Sequence, residues 1–393
     1  MKRQPELSGS ERQQVDFDIH GVVGVRLLNA TPADVRAVAR QLGPLYGHLQ
    51  REPDIVLRFV EHLPIPPLKY VELRGSGFTS DSFFILQSGR SPAKVQIDFE
   101  QIGRRGCEIV CESGLPGVPL LISLVNLIAL KYDIVAVHGS AFVYDSTGVV
   151  VTGWAKGGKT EALLAFCSNG AEYVGDEWVW ISADGRQVYG IPEHIRLWAW
   201  HLDNVAYLWD RVARSDRSIF AAIRALRGLH DGIPSFLRRT LPYKMLTRVM
   251  PALERQLNVR FSPEVVFGSR NREHRVPLDK LFLMLSGSEQ GVTVHDADSR
   301  DIARRMLESL IYEQAPLMGH YRAFRFAFPE KTNELFEHAH EMQSALLKRA
   351  LASKEAYEVV HPYPVELKLL FQVMLPYVAV RTPELREATA KLA

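Results

Sequence analysis

Three cysteines in 393 residues, Cys107, Cys111 and Cys167, are too few for a disulfide framework and too scattered for a zinc set. Cys107 and Cys111 lie four apart in a strand-like run, share a face, and read as core. Charge of one sign is missing too. Lys and Arg number 47 against 45 Asp and Glu, a net charge of +2, so the overall balance drives the chain towards neither nucleic acid nor membrane. Long apolar runs are absent: the longest, Val118 to Leu130, stops at Lys131 and is too short to span a bilayer. The opening MKRQPELSGSERQQ lacks the apolar core of a signal peptide, so the chain is expected to be soluble and cytoplasmic, with no membrane partner. It shows no internal repeat and no low-complexity tract. What it does have is 47% hydrophobic residues, enough for a substantial core, and a length that suits two domains or one with large additions.

The stretch around which the rest is organised is Gly148-Val-Val-Val-Thr-Gly153-Trp154-Ala155-Lys156-Gly157-Gly158-Lys159-Thr160. Val149 to Thr152 is β-branched and reads as a buried strand that breaks at Gly153, with a helical pattern starting near Lys159. Gly153 to Thr160 fits G-x-x-x-x-G-K-[ST], the phosphate-binding loop. Glycines let the backbone wrap a polyphosphate so that successive N–H groups and a helix N-terminus face negative charge. Lys159 would reach the β and γ phosphates, and Thr160 would offer its hydroxyl to Mg²⁺. The bland alternative is a Gly-rich turn that binds nothing, and the strand before and helix after weigh against it.

Residues 1–14 read as a mobile tail. Residues 15–114 read as an α+β domain with a largely antiparallel sheet. Its helix starts at Thr31-Pro32-Ala-Asp34 and runs to about Leu42, and its strands lie near residues 15–19, 54–59, 69–73, 83–87, 94–99 and 107–112. Gly75-Ser-Gly77 marks a turn. A nucleotide domain over 115–330 follows: an apolar helix at 117–132, then strands at 134–138, 141–144 and 148–152. After the loop come a helix from Lys159 to about Cys167 and strands at 172–174, 178–182, 187–190, 281–286 and 291–295. Asp298 caps a helix over 300–312. Residues 202–260 form a basic helical insertion rich in arginine, either a solvated surface or a docking face for an acidic partner. A C-terminal helical region, 331–393, is expected as a long amphipathic helix at 330–358 and shorter ones at 364–377 and 383–391.

Beyond the loop, the acids Asp176 and Glu177 end the very next strand, seventeen positions after Lys159, and His138-Gly139 closes a strand twenty-one positions before it. Together these three elements resemble the HPr kinase/phosphorylase family, whose pattern is His-Gly, then G-x-x-G-x-G-K-S-E, then a strand ending in an acidic pair. The likeness covers about residues 134–182 and includes Glu161 after Lys159-Thr160. It departs in having Asp-Glu for Asp-Asp, in Trp154 and Lys156 within the loop, and in lacking the later E-I-R-G-L-G-I signature. The resemblance implies a P-loop fold of the PEP-carboxykinase type and transfer of a phosphoryl group to a serine, with divergent members nearer than those that act on HPr itself. It also suggests an oligomer.

On that basis ATP and Mg²⁺ are the expected cofactors, and the acceptor is a serine-type hydroxyl on a protein, a peptide or a small molecule. Residues 153–161 would hold the nucleotide. Asp176 would take the hydroxyl proton or bind metal, Glu177 would join the metal shell, His138 would touch a phosphate or tune Asp176, and Arg196 would clamp the γ-phosphate. Two other readings stay open. One is a nucleotide-gated module that binds ATP and holds a partner without phosphorylating it. The other is a PEP-carboxykinase-like metabolic enzyme, for which no convincing metal-binding His and Lys residues precede the loop.

Overall fold

The computed structural model describes residues 12–379, apart from 72–74, 89–90, 234–239, 255, 269–272 and 289–290. It is a mixed α/β protein whose contacts divide it into a larger unit and a smaller one, His194–Gly268.

The larger unit begins with β1 (Gln13–Ile19), β2 (Val23–Ala30), α1 (Pro32–Leu42), β3 (Ile55–Val60), β4 (Lys69–Val71), β5 (Ser76–Phe78), β6 (Phe83–Ser88), β7 (Ser91–Ile97) and β8 (Cys107–Glu112). These strands form one sheet in the order β1-β2-β3-β8-β7-β6-β5-β4. Five of its pairings are antiparallel, as expected. The centre, β2-β3-β8, is parallel instead, because α1 carries the chain across between β2 and β3. The helix starts where the sequence placed it: the Thr31 hydroxyl accepts from Asp34 N–H, and the Asp34 carboxylate accepts from Thr31 N–H at 3.0 Å. β2 was not expected, and of Gly75-Ser-Gly77, read as a turn, only Gly75 is one, while Ser76 and Gly77 belong to β5, which lies between β6 and β4. Cys107 and Cys111 are buried, and burial pushes the Cys107 thiol up to about 12.

The chain continues through α2 (Leu121–Ala129), β9 (Ile134–Tyr144), β10 (Thr147–Gly153), α3 (Lys159–Cys167), β11 (Glu172–Gly175), β12 (Trp178–Ser182) and β13 (Gln187–Gly190). The smaller unit then supplies β14 (Ile195–Trp198), α4 (Ala199–Asn204), α5 (Arg214–Asp231), α6 (Leu241–Glu254), β15 (Asn258–Phe261) and α7 (Pro263–Phe267). Back in the larger unit come β16 (Arg275–Pro277), β17 (Lys280–Ser286), β18 (Thr293–Asp296), α8 (Ser299–Ala327), α9 (Glu334–Glu337), α10 (Ala339–Leu351), β19 (Glu355–His361) and α11 (Leu367–Val378).

The second sheet runs β16-β13-β12-β9-β10-β17-β19-β18, with β11 also on β9. β9 is one long strand rather than two, since Gly139 and Ser140 stay extended and pair with Val151 and Thr152. β10, β17 and β19 are parallel neighbours, and β10 and β17 are buried almost throughout, which is why those two read as continuous apolar runs.

Two expectations near the C-terminus fail. The single helix expected over 330–358 is two, α9 and α10, which break at His338 and end at Leu351, and Glu355–His361 is instead strand β19. Its residues alternate between burial and partial exposure, and Tyr357, Val359 and Val360 suit a strand. The helix expected to end at Tyr312 runs fifteen residues further, through Pro316, because Leu317, Tyr321 and Phe324 keep the helical spacing. Tyr321 and Phe324 pack against Phe99, and Phe324 also against Phe83. Residues 383–391 lie outside the described residues.

The smaller unit is not helical throughout: a two-stranded ribbon, β14 against β15, joins its two ends. α5 buries only Phe220 and Ile223 of its eighteen residues. Arg224 binds Asp203 at 2.9 Å and lies over the Trp209 ring. Arg238, Arg239 and Arg255 fall outside the described residues.

Candidate functional site

The glycine-rich loop joins the end of β10 to the start of α3, at the carboxyl ends of three parallel strands, where sites in open α/β sheets form. Close packing explains its composition. A Cβ on Gly153 would stand 2.6 Å from Met284 O at the end of β17. One on Gly158, whose φ is +103°, would stand 2.4 Å from the His361 ring at the end of β19. His361 Nε2 is 2.8 Å from Gly157 O and Nδ1 is 2.8 Å from Pro362 O. Both are acceptors, so both contacts are hydrogen bonds only when the ring carries two protons.

Lys159 and Thr160 open α3. The Lys159 ammonium is buried and donates to Trp154 O at 2.8 Å and Gly153 O at 3.3 Å. Burial lowers its pKa, opposed by Glu177, Asp176, Glu161 and Glu313. Glu161 is buried in the same first turn. Lys156 is exposed, with a left-handed φ of +63°.

The acids sit on an interrupted ribbon. Residues 172–182 run antiparallel along β9, so β11 points the same way as β10 and its end lies beside the loop. The ladder slips at Tyr173–Gly175 and breaks at Asp176–Glu177, where Glu177 takes a φ of +64°. Regular alternation would send the two carboxylates to opposite faces; the left-handed residue keeps both at the site. The Thr160 hydroxyl donates to Asp176 Oδ2 at 3.1 Å. Asp176 is buried, and its pKa is pushed up to about 7, first by burial and then by the Glu177 charge. Glu177 reaches the other way, 3.2 Å from His138 Nε2.

His138, buried on β9, stands between two carboxylates. Its Nδ1 lies 3.2 Å from Glu313 Oε1 of α8, an ion-pair contact whose angle is poor for a hydrogen bond. Burial works against the charged ring, but Glu177 and Glu313 outweigh it and the pKa is raised. The same face of α8 reaches the loop twice more: the Ser309 hydroxyl lies 3.5 Å from Gly153 O, and the Tyr312 ring packs on Trp154 with centroids 4.9 Å apart.

Of the residues singled out from sequence, the fold brings together 153–161, Asp176, Glu177 and His138. Arg196 belongs to the smaller unit, on an exposed position of β14 facing Arg260 across the ribbon. Glu313, Ser309, Tyr312 and His361 were missed; only the three-and-four spacing of the α8 group was available as a signal. Among the described residues no group of three or more His, Cys, Asp or Glu side chains is arranged to hold a metal ion. The Thr160 hydroxyl and the adjacent carboxylates of Asp176 and Glu177 nonetheless fit Mg²⁺, which takes few protein ligands and keeps water and phosphate oxygens. No family model matches the chain, and the comparison with curated proteins finds no match.

Proposed function

We propose that the protein is an ATP-dependent, Mg²⁺-requiring kinase of the HPr-kinase-like type, moving a γ-phosphoryl group to a serine-type hydroxyl of a protein, a peptide or a small molecule. The observation that carries this is the Thr160–Asp176 contact at 3.1 Å, beside the buried Lys159. A loop with a buried ammonium and a helix start suits polyphosphate. A buried carboxyl whose pKa is pushed up to about 7 suits a group that must take up a proton near neutral pH.

Each residue then has one task. Loop N–H groups and Lys159 bind the β and γ phosphates, and Lys159 exchanges its loop carbonyl partners for phosphate oxygens. Thr160 and Glu177 hold Mg²⁺, which when bound neutralises charge on the phosphates. Asp176 accepts the hydroxyl proton as the acceptor oxygen bonds to the γ phosphorus, and the bond from that phosphorus to the β,γ-bridging oxygen breaks to leave ADP. His138, fixed between Glu177 and Glu313, keeps Glu177 in place.

The test is label transfer from γ-labelled Mg-ATP to a cell extract and to free serine. Asp176→Asn is expected to lower transfer about 10²- to 10⁴-fold while ATP still binds. Lys159→Ala is expected to lose ATP binding and transfer together. If nothing is labelled and only Lys159→Ala abolishes ATP binding, a nucleotide-gated module is the better account. Its partner would be acidic, held by the Arg-rich and largely exposed α5.

A further inference from the structure

Two large aromatic side chains stand open to solvent at the mouth of the loop: Trp154 is 49% exposed and Tyr312 is 56% exposed. They pack on one another at a tilt of 38°, yet leave much of both rings uncovered. Their position is fixed from three sides. The Trp154 carbonyl accepts from Lys159, Ser309 one turn before Tyr312 meets Gly153 O, and Glu313 directly after Tyr312 meets His138. The strand end of the loop is thus where the Lys159 ammonium sits, and on the kinase reading it is the end that receives the terminal phosphate. An acceptor hydroxyl must approach there, so the aromatic pair faces the acceptor and not the nucleoside.

Charge then narrows the acceptor. Asp176, Glu177 and Glu313 converge on this end, and the polyphosphate adds further negative charge that Lys159, His138 and one divalent cation offset only in part. An anionic group beside the reacting hydroxyl would be repelled. A cationic group would gain from the carboxylates and from the faces of the two rings, which attract positive charge. We propose that the acceptor carries a positive charge next to its hydroxyl, as an ammonium or a Lys or Arg side chain, seated on Trp154 and Tyr312 beside Glu313. This rests on the kinase reading and goes further by naming the substrate class.

The experiment uses the full chain, labelled Mg-ATP and acceptors of opposite or no charge beside the same hydroxyl. Serine methyl ester is compared with N-acetylserine, and serine peptides with Lys or Arg beside the serine are compared with the same peptides carrying Glu or Leu. Cationic acceptors are expected to be labelled at least about tenfold better than neutral or anionic ones. Tyr312→Leu and Trp154→Leu are each expected to cut that ratio to about threefold or less. The ratio is decisive because a merely structural defect would slow all acceptors alike. Labelling without charge preference, a preference for acidic flanks, or a ratio untouched in both variants overturns the proposal alone. No labelling of any acceptor, with ATP still bound in a Lys159-dependent way, overturns it together with the kinase reading.

Discussion

Asp176 concentrates the chemistry of the site in one carboxyl group, because it is buried, faces Glu177, and has its pKa pushed up to about 7 from an ordinary value of 3.8. Between those values the folded chain holds a proton that the unfolded chain releases, so stability falls as pH rises through that window and the full loss is felt above it. Asp176→Asn removes the ionisation and still accepts from Thr160. It is expected to stabilise the nucleotide-free protein at pH 8 by on the order of 1–4 kcal/mol and much less near pH 4, as thermal melts at the two pH values will show. Gly158 carries a different constraint. Its φ of +103° and the His361 ring 2.4 Å from where a Cβ would stand make Gly158→Ala destabilising, by about 1–3 kcal/mol, readable by denaturant unfolding. The positions around Lys159 were legible in the sequence because backbone geometry permits few residue types there. Glu313 was not, since a glutamate on a helix announces nothing until the fold sets a histidine opposite it.

One long helix, α8, ties the loop to its histidine through Ser309, Tyr312 and Glu313. Because Glu313 helps to raise the His138 pKa, Glu313→Gln is expected to lower it, a change that imidazole NMR shifts will follow across pH. A raised histidine pKa contributes stability that is present below pH 6.5 and is lost as pH rises through the folded value. The variant is therefore expected to lose its stability relative to wild type mainly on the acid side. Elements with one dominant period were legible: α3 begins and ends where the pattern places it, and β12 and β13 match residue for residue. β19 was misread because helix-forming Ala350, Leu351, Ala352 and Lys354 run straight into it. The short strand prevails through its parallel pairing with β17, a partner about seventy residues away that no local window contains.

At the scale of the whole chain, the smaller unit leaves the larger one and returns to it at neighbouring points: Gly190 N–H donates to His274 O at 2.7 Å, and β13 pairs with β16. Replacing His194–Gly268 by a short Gly/Ser linker is accordingly expected to leave a cooperative melt, with the midpoint moved by a few degrees, checked by circular dichroism. The mixed α/β character and the arginine-rich segment were legible from composition and periodicity. The order of the strands was not, because it is set by long-range pairing. That order has a consequence for biosynthesis. Among the described residues β19 is made after every other strand, yet it covers β17 and carries the histidine that braces the loop. Until His361 has emerged, a growing chain has an apolar edge strand exposed and a loop without its support, the state most prone to joining another chain. A chain ended at Ala352 is therefore expected to accumulate as aggregate rather than as a less stable folded form.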